Sequence, residues 1–365
     1  MFRSFFLFLI ISLTVRAQDP DTLLSHILNL ENDTQKVNQL YTIGFSLIDK
    51  DPVLSFSYAQ YCEKIAQKSK SPRHVAKSYN LKGILLFKHG LNKKALNYFE
   101  KYLQCSKELK NKIGEAFAFT NLGNIYLQLQ QYEKAESYFL QALNMYNFLN
   151  NRVEVANGLI NLGVVKHEQM QLEAASENYL QALKISDELN NYEIRAMCLN
   201  NIAQVFSDKG DLEKALAYNY DALELREMMG LEVDMADSYL SIAEIALRQK
   251  NIVLADEILN EAKNLCYKLH YLEAEITYHK LCSELNAQKN NFELALFHLK
   301  FNNHLHDSLL LLQKEELVYD FETINSDINE KIIQKNYEHI SNKPMIALLL
   351  TIIIFISYII FKHKR

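Results

Sequence analysis

Asparagine side chains at repeated spacing are the residues of this sequence best suited to recognise a ligand. Asn121, Asn161 and Asn201 are 40 residues apart, and Asn80 and Asn200 lie one residue earlier in equivalent stretches. An amide both donates and accepts hydrogen bonds, so a row of amides can pair with the backbone of an extended peptide. The alternative is that these amides satisfy neighbouring backbone groups or water. The candidate amide ladder is Asn80, Asn121, Asn124, Asn161, Asn200 and Asn201.

Residues for catalysis or metal binding are not found in a working arrangement. His298, His304 and His306 cluster, but residues two apart on a helix point about 200° apart and cannot share a metal. The stretch "HISNKP" has the His and Pro spacing of a histidine-kinase phosphoacceptor box, yet Ile340 replaces its acidic residue and Asn342 its basic residue. Nucleophile-elbow, P-loop and zinc-protease motifs are missing. The sequence therefore predicts no catalytic residue, no metal site, no cofactor and no enzyme activity.

Composition favours helices and argues against nucleic acid as a direct ligand. The 365 residues include only 9 Gly, 4 Pro and no Trp, a poor supply of turn residues for sheets. The formal net charge is −5, with 39 Lys and Arg against 44 Asp and Glu. A phosphate-binding surface needs clustered cations, which this balance does not suggest. We therefore expect an all-α protein that does not bind nucleic acid directly.

A period of 40 residues organises most of the chain. Small residues recur at this period, and an alanine lies twelve residues after each of them. Small side chains at these two places predict two helices that pack closely, joined by a short polar turn. One such hairpin cannot bury its apolar face alone, so the units must stack into a solenoid. The predicted packing residues are Gly83, Gly123, Gly163, Ala203 and Ala243, followed by Ala95, Ala135, Ala175, Ala215, Ala255 and Ala295, with Ser283 a weaker sixth small position.

These units resemble the tetratricopeptide repeat in its 40-residue variant. The stretches "TNLGNIYLQLQQYEKAESYFLQAL" (120–143) and "NNIAQVFSDKGDLEKALAYNYDAL" (200–223) carry the resemblance. It implies that the first helix of each repeat lines a concave face, where asparagines at matching positions hold peptide backbones. Cations that would clamp a terminal carboxylate are not evident on that face, which includes Glu168, Asp208 and Glu244.

The two ends of the chain predict export and a membrane anchor. "MFRSFFLFLIISLTVRA" has the cation, apolar stretch and small-residue site of a secretion signal, although an uncleaved anchor is the alternative. Residues 344–361 carry no charge and form a stretch just long enough to span a bilayer as a helix. Lys362, Lys364 and Arg365 follow, which predicts a cytoplasmic C-terminus and an extracytoplasmic (periplasmic) repeat region. The expected location is the cell membrane, with a single span.

A helical neck is expected between the repeats and the span. Leu310, Leu317 and Ile324 are seven residues apart, with Phe321 and Ile328 between them in heptad register. This pattern favours either a coiled coil that makes a homodimer or a single amphipathic helix that caps the last repeat. The five cysteines show no CxxC spacing, so free buried thiols are expected, with a Cys266–Cys282 disulfide as the alternative.

The resulting domain organisation is an all-α solenoid of about seven repeats between a signal peptide and a membrane anchor. We expect a membrane-anchored module that binds a peptide or protein in an envelope signalling or assembly complex. Alternatives are a passive envelope scaffold and a shortened regulator that lacks its output domain. The predicted segments are 1–17 signal peptide, 18–32 lead-in, 33–310 solenoid (33–70, 73–110, 113–150, 153–190, 193–230, 233–270 and 273–310), 306–343 neck, 344–361 transmembrane helix and 362–365 tail.

Overall fold

The computed structural model describes residues 20–48, 51–269 and 272–313. Within these ranges the chain forms fifteen α-helices and no strand. They are α1 Pro20–Leu28, α2 Asp33–Leu47, α3 Pro52–Lys68, α4 Pro72–Lys88, α5 Asn92–Glu108, α6 Lys112–Gln128, α7 Tyr132–Phe148, α8 Arg152–Glu168, α9 Leu172–Leu189, α10 Tyr192–Asp208, α11 Leu212–Met229, α12 Glu232–Arg248, α13 Ile252–Leu269, α14 Leu272–Gln288 and α15 Phe292–Gln313.

The helices after α1 pair into seven antiparallel hairpins, numbered here from hairpin 1 (α2 and α3) to hairpin 7 (α14 and α15). Each first helix packs on the second helix of its own hairpin, and each second helix packs on the first helix of the next one. Several first helices also touch each other directly, such as α2 with α4 and α12 with α14. The expected all-α repeat solenoid is confirmed for the described residues.

The turns between helices share one backbone conformation. A residue with positive φ ends nearly every helix, at a period of 20 residues. At the turn after α6, Gln130 has φ of 56°, and the N–H of Gln131 donates to the carbonyl of Tyr126 at 2.8 Å. This is the Schellman arrangement, which satisfies the last carbonyls of a helix. Only three of these positive-φ residues are glycines, which explains how so few glycines can serve so many turns.

The repeated glycines make room for aromatic rings. A Cβ on Gly83, Gly123 or Gly163 would lie 2.5, 2.6 or 2.4 Å from a ring atom of the residue sixteen positions later. Those residues, Phe99, Phe139 and Tyr179, are buried in the second helix of the same hairpin. The ring therefore occupies the space that the side chain of a larger residue would fill at the glycine position.

The alanines of the second helices lie in the core. Ala95, Ala135, Ala175, Ala215 and Ala255 have no exposed surface, and Ala295 is 8% exposed. In hairpins 5 to 7 the glycine position holds Ala203, Ala243 and Ser283, and the residue sixteen positions later is Asn219, Leu259 and Leu299. Hairpins 5 to 7 therefore lack both the glycine and the aromatic ring that it accommodates.

All five cysteines are free thiols. Cys62, Cys198, Cys266 and Cys282 are buried, and Cys105 is half-buried. Burial is the main cause that raises the pKa of Cys62 and Cys198 to about 12. Protonated, buried thiols are poor nucleophiles, so these side chains act as small apolar core residues. The alternative Cys266–Cys282 disulfide is not formed.

The membrane expectation needs correction. Among residues 20–48, 51–269 and 272–313, no helix is both long and apolar enough to cross a membrane. This finding contradicts the expected single-pass location, and for the described residues the fold class is corrected to an all-α solenoid in which no helix could span a membrane. The segment predicted to span, 344–361, lies outside the described residues, as do the signal peptide (1–17), the tail (362–365) and the neck beyond Gln313.

Candidate functional site

A cleft of about 620 Å³ lies on the first helices of hairpins 1 to 3 and is called here the N-terminal cleft. It falls within the range of volumes typical of ligand sites. Each wall comes from a different repeat, so the cleft exists only because the hairpins stack. The lining residues are Tyr41 from α2; Arg73, Ala76, Lys77, Asn80 and Ile84 from α4; Tyr102 from α5 and Leu109 just after it; Asn111 just before α6; and Phe117 and Asn121 from α6.

Two of the predicted amides meet in this cleft. The Asn121 Nδ2 group donates to Oδ1 of Asn80 at 3.3 Å, and Nδ2 of Asn80 donates to the Tyr41 hydroxyl at 3.2 Å. The three side chains form a chain of hydrogen bonds across α2, α4 and α6. An amide has two N–H donors and two lone pairs, so Asn80 and Asn121 keep capacity for a ligand.

The other four predicted asparagines lie outside the lining of the cleft. Asn161 and Asn201 are half-buried at the equivalent positions of α8 and α10, and Asn124 is half-buried one turn after Asn121. Asn200 differs, because its Oδ1 atom is buried without a hydrogen-bond partner. The structure therefore brings together Asn80 and Asn121 and spreads the remaining amides over later repeats.

Two cations in the N-terminal cleft were missed by sequence analysis. Arg73 and Lys77 lie one turn apart on α4 and both line the cleft. The Lys77 ammonium donates to Oδ1 of Asn38 at 2.6 Å and lies 5.8 Å from the centre of the Tyr41 ring. The lining contains no Asp or Glu. Projecting α4 back from Asn80 by three and seven residues is the signal that would have found them.

Aromatic side chains also line the N-terminal cleft. Phe117 is 38% exposed and meets the ring of Tyr146 edge-on at 5.9 Å. Burial is the main cause that raises the pKa of Tyr102 to about 12, and burial also raises the pKa of Tyr41. Both phenols are therefore protonated at neutral pH and can donate hydrogen bonds. The wall offers apolar surface beside polar groups, as peptide-binding grooves do.

The equivalent surface of hairpin 6 has the opposite charge. Asp237 of α12 occupies the position of Lys77, four repeats later. Burial is the main cause that raises the pKa of Asp237 to about 6, and the nearby Arg226 opposes this shift. The Arg226 guanidinium is itself committed, donating to the Asp234 carbonyl at 3.0 Å and to the Ser238 hydroxyl at 2.5 Å. This end of the solenoid presents a carboxyl group where the N-terminal cleft presents an ammonium group.

His298, one of the three clustered histidines, lies close to a histidine of the preceding helix. His298 Nδ1 lies 2.8 Å from Nδ1 of His279, which sequence analysis did not consider, and Nε2 of His279 lies 3.2 Å from the Tyr267 hydroxyl. In the part of the chain that the structure describes, no group of three or more potential ligands is placed to hold a metal ion. The "HISNKP" stretch lies beyond the described residues.

The stacked hairpins define a class of protein, the helical-repeat solenoids. Residues 74–147 and 154–228 match the family model of the tetratricopeptide repeat. These two stretches of the chain are therefore tetratricopeptide repeats. No protein of curated function matches this sequence significantly.

Solved structures share this fold at low sequence identity. The apo form of RapI is 12% identical with a TM-score of 0.59, covering 74% of this chain and 98% of that one. A Rap conjugation regulator of plasmid pLS20, in complex with the Phr* peptide, is 14% identical with a TM-score of 0.54, covering 68% and 78%. BtubC (BKLC) from P. vanneervenii is 17% identical with a TM-score of 0.51, covering 61% and 94%. These likenesses show the fold alone.

Proposed function

We propose that this protein is a non-catalytic module that binds an extended peptide, or an extended segment of a protein, in the N-terminal cleft. The observation that carries the proposal is the chain of hydrogen bonds from Tyr41 through Asn80 to Asn121 in the lining of the cleft. Amides from successive repeats are spaced to pair with a peptide backbone rather than with one particular side chain. The pLS20 regulator, whose structure contains a bound peptide, supports this use of the fold.

The charge of the lining favours a ligand with an acidic group. Arg73 and Lys77 supply two cations and no lining residue supplies a carboxylate, although the whole chain is negative. A carboxylate of the ligand would pair with these cations through charge-assisted hydrogen bonds. An apolar residue beside it would pack against Phe117 and Leu109. The lining also holds no His, Cys or carboxyl group to act as an acid, base or nucleophile, which supports binding rather than catalysis.

Selection from a displayed library of random dodecapeptides tests this proposal. We expect the full-length chain to enrich acidic peptides, and the enriched peptide to bind in a fluorescence-anisotropy titration. The double substitution Asn80→Ala and Asn121→Ala should weaken binding by roughly 10-fold to 100-fold, since each lost hydrogen bond is worth about 0.5–1.5 kcal/mol.

The matched control is Asn161→Ala with Asn201→Ala, which removes two amides of the same face outside the N-terminal cleft. This control should bind like the unchanged chain. Equal weakening by both double variants would place binding elsewhere on the first helices. No enriched peptide, or no effect of removing Asn80 and Asn121, would reject capture by this cleft and favour a passive scaffold.

A further inference from the structure

The last described helix, α15, carries large apolar side chains that the rest of the described chain leaves largely exposed. Phe292 and Phe297 of α15 are 68% and 56% exposed, and four more large apolar side chains of the same helix are at least 39% exposed. Exposed apolar patches of this kind mark interaction sites on soluble proteins. The residues that make up this α15 face are Phe292, Leu294, Leu296, Phe297, Leu299 and Phe301.

At the positions of Phe297 and Phe301 this face departs from the other repeats. The positions of Phe297 and Phe301 are exposed in every second helix from α5 to α13. In those five helices they hold almost only polar residues. At the position of Phe297 these are Asn97, Ser137, Glu177, Ala217 and Glu257, and at the position of Phe301 they are Lys101, Gln141, Gln181, Asp221 and Glu261.

The opposite side of α15 fixes which residues face outward. Ala295 is 8% exposed and its carbonyl accepts a hydrogen bond from the Ser283 hydroxyl at 2.9 Å. His298 lies against His279 of α14. Between these two inward residues, Leu296 and Phe297 occupy the outer side of the helix. Phe301 lies at the edge of the α15 face, and its ring centre is 4.5 Å from that of His279.

The sequence of the α15 face reads almost the same in both directions. In "FELALFHLKF", residues 292 to 301, the centre lies between Leu296 and Phe297. Reversal about that centre exchanges Phe292 with Phe301, Leu294 with Leu299, and the inward Ala295 with the inward His298. It also exchanges Glu293 with Lys300, which are both exposed and opposite in charge.

This pattern makes the face complementary to itself in an antiparallel pair of identical helices. In a two-fold interface each residue meets the residue that the reversal assigns to it on the other copy. Glu293 of one copy would then face Lys300 of the other, twice, with Leu296 and Phe297 packed between the two ion pairs. A parallel pairing would instead set Glu293 against Glu293 and Lys300 against Lys300.

We propose that the α15 face binds the α15 face of a second copy of this chain, antiparallel and about a two-fold axis. An aromatic side chain covers about 150–250 Å², so the exposed parts of the six residues amount to roughly 500 Å². A stable interface buries about 800 Å² on each partner, and Glu293, Lys300 and the neighbouring turns supply the remainder. The proposal is independent of the peptide cleft, which lies in hairpins 1 to 3.

Charge exchange in the full-length chain tests the antiparallel register. Sedimentation equilibrium should find a dimer for the unchanged chain. Glu293→Lys alone, or Lys300→Glu alone, places like charges together twice in the interface and should raise the dissociation constant by about tenfold. Both substitutions together exchange the two charges and should restore the dimer.

Matched positions of α7 supply the controls. Glu133→Lys and Ser137→Glu alter the residues that correspond to Glu293 and Phe297 in hairpin 3 and should leave the dimer unchanged, whereas Phe297→Glu should abolish it. Because Phe297 is exposed, the helical circular-dichroism signal of that variant should not change. A monomeric unchanged chain would overturn the proposal, as would a dimer that survives Phe297→Glu or that the paired charge exchange fails to restore.

Discussion

Hairpins 2 to 4 and hairpins 5 to 7 follow one 40-residue plan but use it differently. The first group pairs each glycine with an aromatic ring and, together with hairpin 1, presents the cationic N-terminal cleft. The second group replaces the glycines by Ala203, Ala243 and Ser283, presents Asp237 where the cleft has Lys77, and ends in the apolar α15 face. The difference teaches that the repeat sets the positions of the helices, while the residues at a few equivalent positions decide what each end can bind.

The largest effect that separates the two groups should be a loss of stability in acid, centred on hairpin 7. Burial, followed by the repulsion of His298, lowers the pKa of His279 to about 4. The unfolded chain has the ordinary value of about 6.5 and binds a proton first as the pH falls. The neutral His279 ring therefore makes its full contribution to the free energy of unfolding above about pH 6.5. This contribution, up to about 3 kcal/mol, is lost as the pH falls towards 4.

His279→Phe should remove this pH dependence, because the remaining ring still fills the site beside Tyr267 and Phe301 without binding a proton. Urea unfolding between pH 4 and pH 7 measures it, by comparing the slope of stability against pH in the two chains. The exposed His304→Phe serves as the control. An unchanged slope for His279→Phe would assign the acid sensitivity to other groups.

The second-largest effect should come from substitutions in the glycine and aromatic pairs of hairpins 2 to 4. Gly123→Ala places a Cβ against the ring of Phe139, and overpacking of this kind costs about 1–3 kcal/mol. Adding Phe139→Leu recreates the Ala243 and Leu259 pair of hairpin 6 and should recover part of the loss. Denaturant unfolding measures both variants, and a double variant no more stable than Gly123→Ala would show that the two groups of hairpins differ in more than this pair.

The charge of the N-terminal cleft should affect affinity by a smaller amount. For an acidic peptide selected as above, Arg73→Ala with Lys77→Ala should weaken binding by about tenfold at low salt, and by less as added salt screens the charges. Asp237→Ala, at the Lys77 position of hairpin 6, should not weaken it. Anisotropy titrations at several salt concentrations measure the difference, and equal losses for both variants would argue against a local charge effect.

The helical hairpins could be predicted from the sequence because many residues repeat at the same period. Gly83, Gly123 and Gly163 recur at a fixed distance whatever surrounds them. The N-terminal cleft was harder to foresee, because Arg73 and Lys77 do not recur in later repeats and become neighbours of Asn121 only when α4 and α6 pack together. The His279 and His298 contact was missed for the same reason, since its two residues lie on different helices and follow no period.

The smallest predicted effects concern the turns, which are alike in both groups. Met170, after α8, has φ of 60°, whereas the turn after α10 has Gly210 with φ of 83° and free space around it. A left-handed conformation costs a residue with a side chain about 1 kcal/mol more than it costs glycine. Met170→Gly should therefore raise the free energy of unfolding by about 1 kcal/mol, and Gly210→Ala should lower it by a similar amount. Urea unfolding of the two variants measures both, and changes of equal sign would mean that the turn conformation does not control the stability of these hairpins.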